Sequence, residues 1–493
     1  MTLDFGIIEE KWQKAWDEYK IFEADPRKDV KKIFATFPYP YMNGPLHVGH
    51  GFTSTRIDVY ARFKRMMGFN VLFPWAWHWT GETIAGASER VKHNDRDLIK
   101  AFRDIDGVPE ELIRKFVDPV FMATYYTQEG KIVVKRMGFS IDWRREFHTT
   151  SHDPCFSRFV EWQYLKLMEK NYIIKGSHPV VWCPKCESPT GEADRLVGED
   201  VAPEDYVLIK FKFNSKILLG ATLRPETIYG ATNLWINPDS EYVVLGVEDE
   251  EWIVSTQAAE KLAHQLENTR VVGKVSATDL IGKTCINPVN KEKIFILPGW
   301  FVESDVGSGI VYSVPAHAPF DWVALKDLKS EPEILRKYGI DPNIIDGIKP
   351  ISLIYLEGFG NFPAKEIVDE LKIENQNDPR LDEATKVIYR KEFHGGVLKD
   401  NCNEYAGKTV RDVKEVMIKD FREKNVASLM YELPSQVVCR CACSCIVKVL
   451  RNQWFLNYSD KIWKDKAHSC IARAKIYPEN VRQWFNDIIY WFR

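Results

Sequence analysis

The residue types best suited to nucleotide chemistry lie in one segment, Tyr41-Met42-Asn43-Gly44-Pro45-Leu46-His47-Val48-Gly49-His50. It follows an apolar run at residues 33–37 and precedes a stretch with helical periodicity, which predicts a strand, a glycine-containing turn and a helix N-terminus. Free N–H groups and the helix dipole at such a turn attract anions. His47 and His50 could donate hydrogen bonds to phosphate or ribose oxygens. For a bare pair with this spacing, the alternatives are a metal pair or two surface histidines.

The elements around this turn supply further candidates. The helical stretch is followed by a strand-like aromatic run, Phe73-Pro74-Trp75-Ala76-Trp77-His78-Trp79-Thr80-Gly81. Trp75 and Trp77 are expected in the core, whereas His78 is a candidate site residue. The helical stretch itself has an apolar face, with Phe52, Val59, Tyr60, Phe63, Met66 and Met67, and a basic face, with Arg56, Arg62, Lys64 and Arg65.

Two cysteine clusters have the residue types of a structural zinc site. Cys183 and Cys186 form a C-x-x-C, and a second cluster follows some 250 residues later with Cys439, Cys441, Cys443 and Cys445. One pair from each would give tetrahedral Cys₄ zinc. We take Cys441 and Cys445 as the second pair, although four candidates compete for two places. The alternatives are thiol-rich turns or, less favoured, a redox role for Cys183 and Cys186.

Bulk properties exclude some classes of protein. A chain of 493 residues with 45% hydrophobic and 28% charged residues has room for two to four domains. The net charge of −3 means that nucleic acid would be bound through local patches. We expect a cytoplasmic protein without a membrane segment, because the sequence has no run of 18 apolar residues and no signal-peptide pattern at its start. Its ten cysteines then indicate metal binding or free thiols.

The pattern of apolar residues changes twice along the chain. Strand and helix patterns alternate over residues 31–195, which predicts a nucleotide-binding α/β fold. After residue 200, short β-rich runs separated by Gly and Pro predict a β-rich or barrel-like domain. We therefore expect one α/β domain interrupted by an insertion, with these bounds: residues 1–198 for its first part, 199–430 for the insertion and 431–493 for its return.

The Tyr41–His50 segment resembles the ATP-binding signature of class I aminoacyl-tRNA synthetases. The chain as a whole resembles the leucyl-tRNA synthetases of the archaeal and eukaryotic type, with isoleucyl- and valyl-tRNA synthetases as the alternatives. Four segments are behind that choice: Phe37-Pro38-Tyr39-Pro40-Tyr41-Met42-Asn43-Gly44, Leu72-Phe73-Pro74, Thr222-Leu223-Arg224-Pro225-Glu226-Thr227 and Gln453-Trp454-Phe455.

This resemblance implies a Rossmann-like catalytic domain in which His47 and His50 act catalytically by stabilising the phosphates of ATP, bound with Mg. It implies further contacts with ATP or leucyl-adenylate at Phe37, Pro38, Tyr39, Tyr41, Asn43, Gly44, Gly49 and His78. Many relatives carry an Asp where this chain has His78, and that acid would pair with the substrate ammonium.

Two segments of the insertion resemble the editing elements of these enzymes. They are Ala221–Gly230, which by itself would be a polar turn, and the segment from Gly307 to Asp321. Editing is needed because a hydrophobic pocket distinguishes one methylene by only about 10–200-fold. A carboxylate such as Asp321 suits the α-amino group of a misattached amino acid, while Thr222 and Thr227 would position the ester and water. The implied editing residues are Thr222, Arg224, Glu226, Thr227, His317 and Asp321, with Thr227 and Asp321 catalytic.

The sequence also departs from this family. It contains no Lys-Met-Ser-Lys-Ser-like loop and no anticodon-binding domain. We expect a leucine–tRNA ligase component whose partners are leucine, ATP, tRNA(Leu) and a second polypeptide that completes the catalytic domain, unless the chain is truncated. The rival hypotheses are an editing-only hydrolase of mischarged tRNA and a tRNA- or subunit-binding fragment.

Overall fold

In the computed structural model, which describes residues 4–492, helices and strands mix along the whole chain. Residues 1–3 and 493, at the outer ends of the first and last expected domains, lie outside the described residues. The helices are α1 Phe5–Glu18, α2 Val48–Met66, α3 Glu82–Lys92, α4 Arg96–Asp104, α5 Glu110–Ile113, α6 Pro119–Arg136, α7 Pro154–Glu169, α8 Thr256–Ala263, α9 Ala277–Leu280, α10 Pro319–Ser330, α11 Pro332–Lys337, α12 Asn343–Gly347, α13 Pro363–Glu370, α14 Arg380–Gly395, α15 Val410–Glu423, α16 Lys461–Arg473 and α17 Val481–Trp491.

The strands and these helices together give the mixed α/β class that the sequence predicts. They are β1 Lys32–Phe34, β2 Asn70–Leu72, β3 Ala76–Trp77, β4 Phe147–His148, β5 Ile173–Cys183, β6 Ser188–Pro189, β7 Arg195–Val197, β8 Glu204–Phe213, β9 Lys216–Thr222, β10 Asn233–Ile236, β11 Glu241–Val247, β12 Glu250–Ser255, β13 Arg270–Ser276, β14 Thr284–Ile286, β15 Lys293–Pro298, β16 Ile310–Ser313, β17 Ile354–Tyr355, β18 Val397–Leu398, β19 Ala427–Glu432, β20 Val438–Cys439 and β21 Ile446–Leu456. The 3-10 turns are Arg114–Val117, Trp143–Arg145, Glu192–Asp194, Pro225–Gly230 and Asp400–Tyr405.

The first parallel unit of the fold is β1–α2–β2. β1 and β2 pair in parallel, with Ile33 opposite Val71, and α2 connects them. The N-terminus of α2 therefore lies beyond the carboxyl end of β1, where anions bind in folds of this kind. Trp75 and Trp77 are buried in the core beneath, as predicted.

The apolar face of α2 is exposed in the structure. The side chains of Phe52, Phe63 and Met66 are 59%, 54% and 87% exposed, whereas Ser54, Asp58 and Ala61 are the buried residues of the helix. Two of the four basic residues, Arg62 and Arg65, make hydrogen bonds beneath the helix, whereas Arg56 is exposed. Arg65 donates to the carbonyl of Ser140 at 2.9 Å, and Arg62 donates to Asp58 at 2.7 Å.

The insertion is built on one large sheet between Glu204 and Glu432. Its strand order is β13-β11-β12-β9-β8-β14-β15-β10-β16, and β19 pairs with β8 outside that path. The sheet curls so that β16 packs against β9, and the rings of Phe211 and Tyr312 lie 5.9 Å apart inside. The boundary expected at 430/431 falls within β19, since Ala427–Glu432 pairs with Glu204–Ile209 along its whole length.

One ribbon joins the insertion to the rest of the chain, and three helices of the insertion have a core of their own. β5 and β21 form a long antiparallel ribbon at the two roots of the insertion, with Trp182 opposite Ile446. Helices α10, α13 and α14 share a small core of their own, which includes Val323, Ile367 and Ile388.

Among residues 4–492, no helix is both long and apolar enough to cross a membrane.

Candidate functional sites

His47 and His50 form a reciprocal cap at the N-terminus of α2. The backbone N–H of Gly49 donates to His47 Nδ1 at 3.1 Å, and the backbone N–H of His47 donates to His50 Nδ1 at 3.2 Å. The two imidazole rings lie 3.9 Å apart between centroids. Gly49 permits this arrangement, because a Cβ at that position would lie 2.8 Å from His47 Cε1.

This cap fixes the tautomer of both histidines. Each Nδ1 accepts a hydrogen bond, so in the neutral ring the proton is on Nε2. Burial, together with the nearby charge of His47, lowers the pKa of His50 and favours that neutral form. The pair therefore presents N–H donors at a helix N-terminus, which is an arrangement suited to phosphate oxygens.

A cavity of about 450 Å³ opens beside the histidine pair. Most of its lining is apolar and comes from the start of α2, the end of α6 and the aromatic core. Its residues are Leu46, His47, Val48, His50, Gly51, Phe52, Ser54, Trp75, Val133, Val134, Met137 and Phe139.

Tyr41 and His78 meet in a second part of this region. Their rings lie 4.2 Å apart in an edge-to-face contact, because residues 41 and 78 form a parallel bridge. His78 Nδ1 lies 3.0 Å from Thr149 Oγ1, and burial lowers the pKa of His78. These contacts hold the imidazole in place beside the phenol of Tyr41.

The other residues expected to contact ATP or leucyl-adenylate differ in their burial and in their contacts. The hydroxyl of Tyr39 lies 3.2 Å from Thr36 Oγ1, and Pro38 is exposed. Phe37 is buried, with its ring 4.3 Å from that of Trp75, so its side chain belongs to the core. Asn43 and Gly44 lie in the partly buried bend that leads to His47.

Asp194 is a carboxylate at this site that sequence reasoning missed. A Cβ added to Gly81 would lie 3.5 Å from Asp194 Oδ1 and 3.8 Å from Tyr41 Cε1, so both groups lie close to Gly81. Burial, and secondarily the charge of Asp194, raises the pKa of Tyr41. The carbonyl of Asp194 accepts from the backbone N–H of Arg440 at 2.9 Å, so the second cysteine cluster holds its loop.

The insertion contains a pocket of about 240 Å³. Four of the six residues expected there line it, and Glu226 and His317 lie buried outside the lining. The lining consists of Thr222, Arg224, Thr227, Phe301, Val311, Tyr312, Val314, Ala318, Phe320, Asp321 and Tyr389.

Asp321 provides the carboxylate of this pocket from the first turn of α10, which begins at Pro319. Its Oδ1 accepts from Trp235 Nε1 at 3.0 Å, and its Oδ2 accepts from the backbone N–H of Val314 at 2.7 Å. Burial raises the pKa of Asp321 to about 7, although these two donors oppose the shift. The carboxylate is fixed in orientation and titrates near neutral pH.

The hydroxyls of the pocket are fixed by the main chain of Arg224. Its carbonyl accepts from Thr227 Oγ1 at 2.8 Å and from the hydroxyl of Tyr312 at 3.0 Å. Thr222 Oγ1 accepts from the Arg224 N–H at 2.9 Å. The end of β9 supplies Thr222 and the 3-10 turn Pro225–Gly230 supplies Thr227, and both line the same pocket as Asp321.

Glu392 and Tyr389 on α14 were not indicated by any sequence motif. Glu392 is fully buried and contacts both His317 and Arg224. The ring of Tyr389 lies 4.3 Å from the Arg224 guanidinium carbon. Their only sequence signal was a charged helical pattern, which usually denotes a solvated face.

The cysteine sulfurs gather at the end of the β5–β21 ribbon. Those of Cys183, Cys186, Cys439 and Cys441 all lie within 4.8 Å of one another, and Cys183 Sγ is 3.5 Å from Cys441 Sγ. Tetrahedral zinc with Zn–S bonds of about 2.3 Å needs sulfurs about 3.8 Å apart, so this donor set fits.

The structure differs from the sequence expectation at Cys445, whose place in the group is taken by Cys439. The backbone N–H of Cys445 pairs with the carbonyl of Val437 at 2.9 Å, and its sulfur lies 3.8 Å from Thr190 Oγ1. A tight turn with Ala442 at φ +64° instead directs Cys439 and Cys441 toward the C-x-x-C.

Comparisons with known proteins agree with the predicted resemblance. Residues 11–492 match the model of the family described as tRNA synthetases class I (I, L, M and V). The chain is 46% identical over 485 residues to the leucine–tRNA ligase of Methanothermobacter thermautotrophicus, covering 98% of this chain and 51% of that protein. It is 48% identical over 501 residues to the enzyme of Pyrococcus abyssi, covering 99% of this chain and 52% of that protein. The chain spans about half the length of the curated relatives it matches.

The similar solved structures cover just under half of this chain. One is GlLeuRS-CP1, with 28% identity, a TM-score of 0.42 and coverage of 46% of this chain and 98% of that one. Another is the editing domain of the P. falciparum cytosolic leucyl-tRNA synthetase, with 19% identity, a TM-score of 0.42 and coverage of 46% of this chain and 99% of that one.

The match over residues 11–492 decides the family: the chain belongs to the class I tRNA synthetases of the I, L, M and V group.

Proposed function

We propose that this chain is the ATP-binding and editing portion of a leucine–tRNA ligase. It would take part in activating leucine with ATP and transferring it to tRNA(Leu), and it would hydrolyse mischarged tRNA in its insertion. The observation that carries the proposal is the presence of two separate sites in one chain that is 46–48% identical to leucine–tRNA ligases. One site is the histidine cap of α2, and the other is the pocket around Asp321.

In the activating reaction, a carboxylate oxygen of leucine attacks the α-phosphate of ATP and pyrophosphate leaves. The Nε2–H groups of His47 and His50 donate to phosphate oxygens, and the N-terminus of α2 adds its dipole. ATP enters with Mg, which neutralises part of the phosphate charge. Tyr41 and His78 form the wall for leucine, and Asp194 supplies a carboxylate suited to its ammonium group.

In the editing reaction, the ammonium group of a misattached amino acid binds the ionised carboxylate of Asp321. The hydroxyls of Thr222 and Thr227, fixed by Arg224, position the ester and the attacking water. The bulk of this wall excludes leucine and admits a smaller or differently branched side chain. A second sieve of this kind supplies discrimination that one hydrophobic pocket lacks.

The activating site needs a partner that supplies the rest of the catalytic domain. A two-stranded parallel sheet such as β1–β2 is marginal by itself, since parallel sheets are normally larger and covered on both faces. Large apolar side chains are exposed on α2, α7 and α17, although Ile489 on α17 is buried. Such faces favour a protein partner over solvent. We propose that the partner is the remaining catalytic half, encoded separately or as a continuation.

Leucine-dependent pyrophosphate exchange tests this proposal. The chain alone is expected to exchange poorly, because it contains no Lys-Met-Ser-Lys-Ser-like loop, whose lysine would stabilise the charge that develops on the ATP phosphates. Adding the completing half of a leucine–tRNA ligase should raise exchange by at least about 10²-fold, the effect of restoring one such group. The control is Phe63→Asp on the exposed face of α2, which should weaken this stimulation. Equal exchange with and without the completing half would contradict the proposal.

An editing-only hydrolase remains the second candidate. It is favoured by the fact that the Asp321 pocket is formed within residues 204–432, without any group from the ATP site. Deacylation of mischarged tRNA without exchange under either condition would support it. None of the ten cysteines forms a disulfide in the described residues, and we propose a cytoplasmic location for either function.

We propose that structural zinc binds to Cys183, Cys186, Cys439 and Cys441. Zinc would clamp the two roots of the insertion, because β5 ends at Cys183 and β21 begins shortly after Cys441. The same clamp would hold Asp194, through Arg440, at the leucine site.

Substitution of single cysteines distinguishes the ligands. Cys439→Ser is expected to remove most of the zinc, since it takes away one of four donors, whereas Cys445→Ser should keep one equivalent. Metal content of the purified variants, measured by inductively coupled plasma mass spectrometry, provides the test. The opposite result would restore Cys445 as the ligand, and no zinc in the unaltered chain would refute the site.

A further inference from the structure

We propose that Glu392 is a positioning residue for the Asp321 pocket: it holds the guanidinium of Arg224 against the threonine wall and away from Asp321. This inference rests on the proposed editing function and names a residue of that site which no motif indicated. It is carried by a buried network that joins α14 to both insertion segments.

His317 is a structural link in this network, with both ring nitrogens occupied. Its Nε2 accepts from the backbone N–H of Leu353 at 2.8 Å, so its Nδ1 carries the proton. That Nδ1–H donates to Glu392 Oε1 at 2.6 Å, and both side chains are fully buried. His317 therefore has no free nitrogen to act as a base, and its position outside the pocket lining agrees with this.

Arg224 is held by acceptors on three sides. It donates to Glu392 Oε2, to Glu226 Oε1 at 3.2 Å and to the carbonyl of His317 at 3.2 Å. The ring of Tyr389 covers the guanidinium at 4.3 Å. A guanidinium has five N–H donors, so two remain beyond these three contacts. Arg224 also lines the pocket, so its position decides the shape and charge of that wall.

Glu392 is the carboxylate that balances this buried cation. Burial favours protonation of Glu392, but the charge of Arg224 and the contact with His317 lower its pKa overall. Burial raises the pKa of Glu226, the other carboxylate on Arg224, whose Oε2 is buried without a hydrogen-bond partner among the described residues. Ionised Glu392 is therefore the main counter-charge.

Loss of that counter-charge would affect the substrate site directly. A buried cation without its partner is strongly unfavourable. Glu226 would remain in contact with Arg224 at 3.2 Å, and Asp321, on which the charge of Arg224 already acts, is the carboxylate of the pocket lining toward which the guanidinium would then shift. Arg224 would compete there with the substrate ammonium. Glu392 thus keeps the two charged groups of the pocket apart.

A double-mutant cycle tests this role in the full chain, with deacylation of tRNA(Leu) misacylated with isoleucine as the assay. Glu392→Gln is expected to slow deacylation by about 10²-fold, since removing one partner of a buried charge pair has effects of that size. In an Arg224→Gln background the same change should cost less than about threefold, because the cation that it holds is gone. Glu392→Asp, which keeps the charge, should recover part of the rate.

Thermal melting of the same variants separates folding from function. The Glu392→Gln and Arg224→Gln double variant removes both members of the buried ion pair, so neither is left without its partner, and it is expected to melt above Glu392→Gln alone. Glu383→Gln, an exposed change on the same helix, is the matched control and should behave as the unaltered chain. The positioning role alone would be overturned if the rate losses of the two single variants multiplied in the double variant. It would also be overturned if Glu392→Gln left the deacylation rate unchanged. No deacylation by the unaltered chain would overturn the editing proposal and this role with it.

Discussion

Replacement of Asp321 by alanine is expected to abolish hydrolysis of misacylated tRNA(Leu) while leaving leucine activation unchanged. Asp321 is 5% exposed, and it is the carboxylate of the insertion pocket lining. In such a site a carboxylate that binds an ammonium group contributes about 2–5 kcal/mol, so its loss should slow deacylation by about 30-fold to 5,000-fold.

The pH dependence of the unaltered chain gives this prediction a second measure. Burial raises the pKa of Asp321 to about 7, and the ammonium binds only the ionised form. Below that pH the free protein holds a neutral carboxyl group. The kcat/KM for deacylation should therefore fall by about tenfold per pH unit on the acid side of 7.

The control for Asp321→Ala must account for its structural contacts. Removing the carboxylate leaves the donors of Trp235 and Val314 without an acceptor, which costs about 1–3 kcal/mol each. Asp327→Ala is the matched variant, because Asp327 lies on the same helix and accepts from the Gln376 N–H at 3.0 Å, outside the pocket lining. It should lose stability but keep deacylation. Full deacylation activity in Asp321→Ala would contradict the assignment.

Replacement of His50 by alanine is expected to reduce leucine-dependent exchange by about 10²–10³-fold in the completed enzyme, with deacylation retained. That is the usual effect of removing one preorganised donor to a developing negative charge. The variant also loses the reciprocal cap, because the backbone N–H of His47 no longer has its acceptor. The loss of a cap costs about 1 kcal/mol, which is too little to explain the expected drop.

His93→Ala serves as the comparison for this histidine. His93 is exposed and contacts only Glu89 on its own helix, at 2.9 Å. Exchange by His93→Ala should equal that of the unaltered enzyme. If His50→Ala exchanged as well as His93→Ala, the reciprocal cap would be a structural device and not part of the ATP site.

The helix after the signature shows what periodicity can and cannot predict. The sequence predicted that Arg56 and Lys64 lie opposite the apolar face, but Arg56 lies over the ring of Phe52 and Lys64 over that of Phe63. The face with Phe52, Phe63 and Met66 is itself exposed. Periodicity defines a stripe of side chains and says nothing about what packs on it. Inward hydrogen bonds from Arg62 and Arg65 could not be predicted either, because their acceptors at Gly138 and Ser140 are 75 or more residues away.

Sequence motifs predicted residues that line the insertion pocket, but they did not predict the buried side chains that hold those residues in place. Thr222, Thr227 and Asp321 stand in recognisable segments and do meet in one pocket. Glu392 lies 168 residues from Arg224, in a helix whose pattern was simply charged. The choice of Cys445 over Cys439 was wrong for a similar reason, since a tight turn and one strand pairing decide which of the four candidate sulfurs converge. Contacts between distant segments determine these details.

The central claim is that two independent sites are present in one chain. The most direct test measures exchange and deacylation for both His50→Ala and Asp321→Ala in the completed enzyme. We expect opposite losses: His50→Ala should lose exchange and keep deacylation, and Asp321→Ala should lose deacylation and keep exchange. If each variant, still folded by its melting curve, lost both activities, the two sites would not be independent and the claim would be wrong.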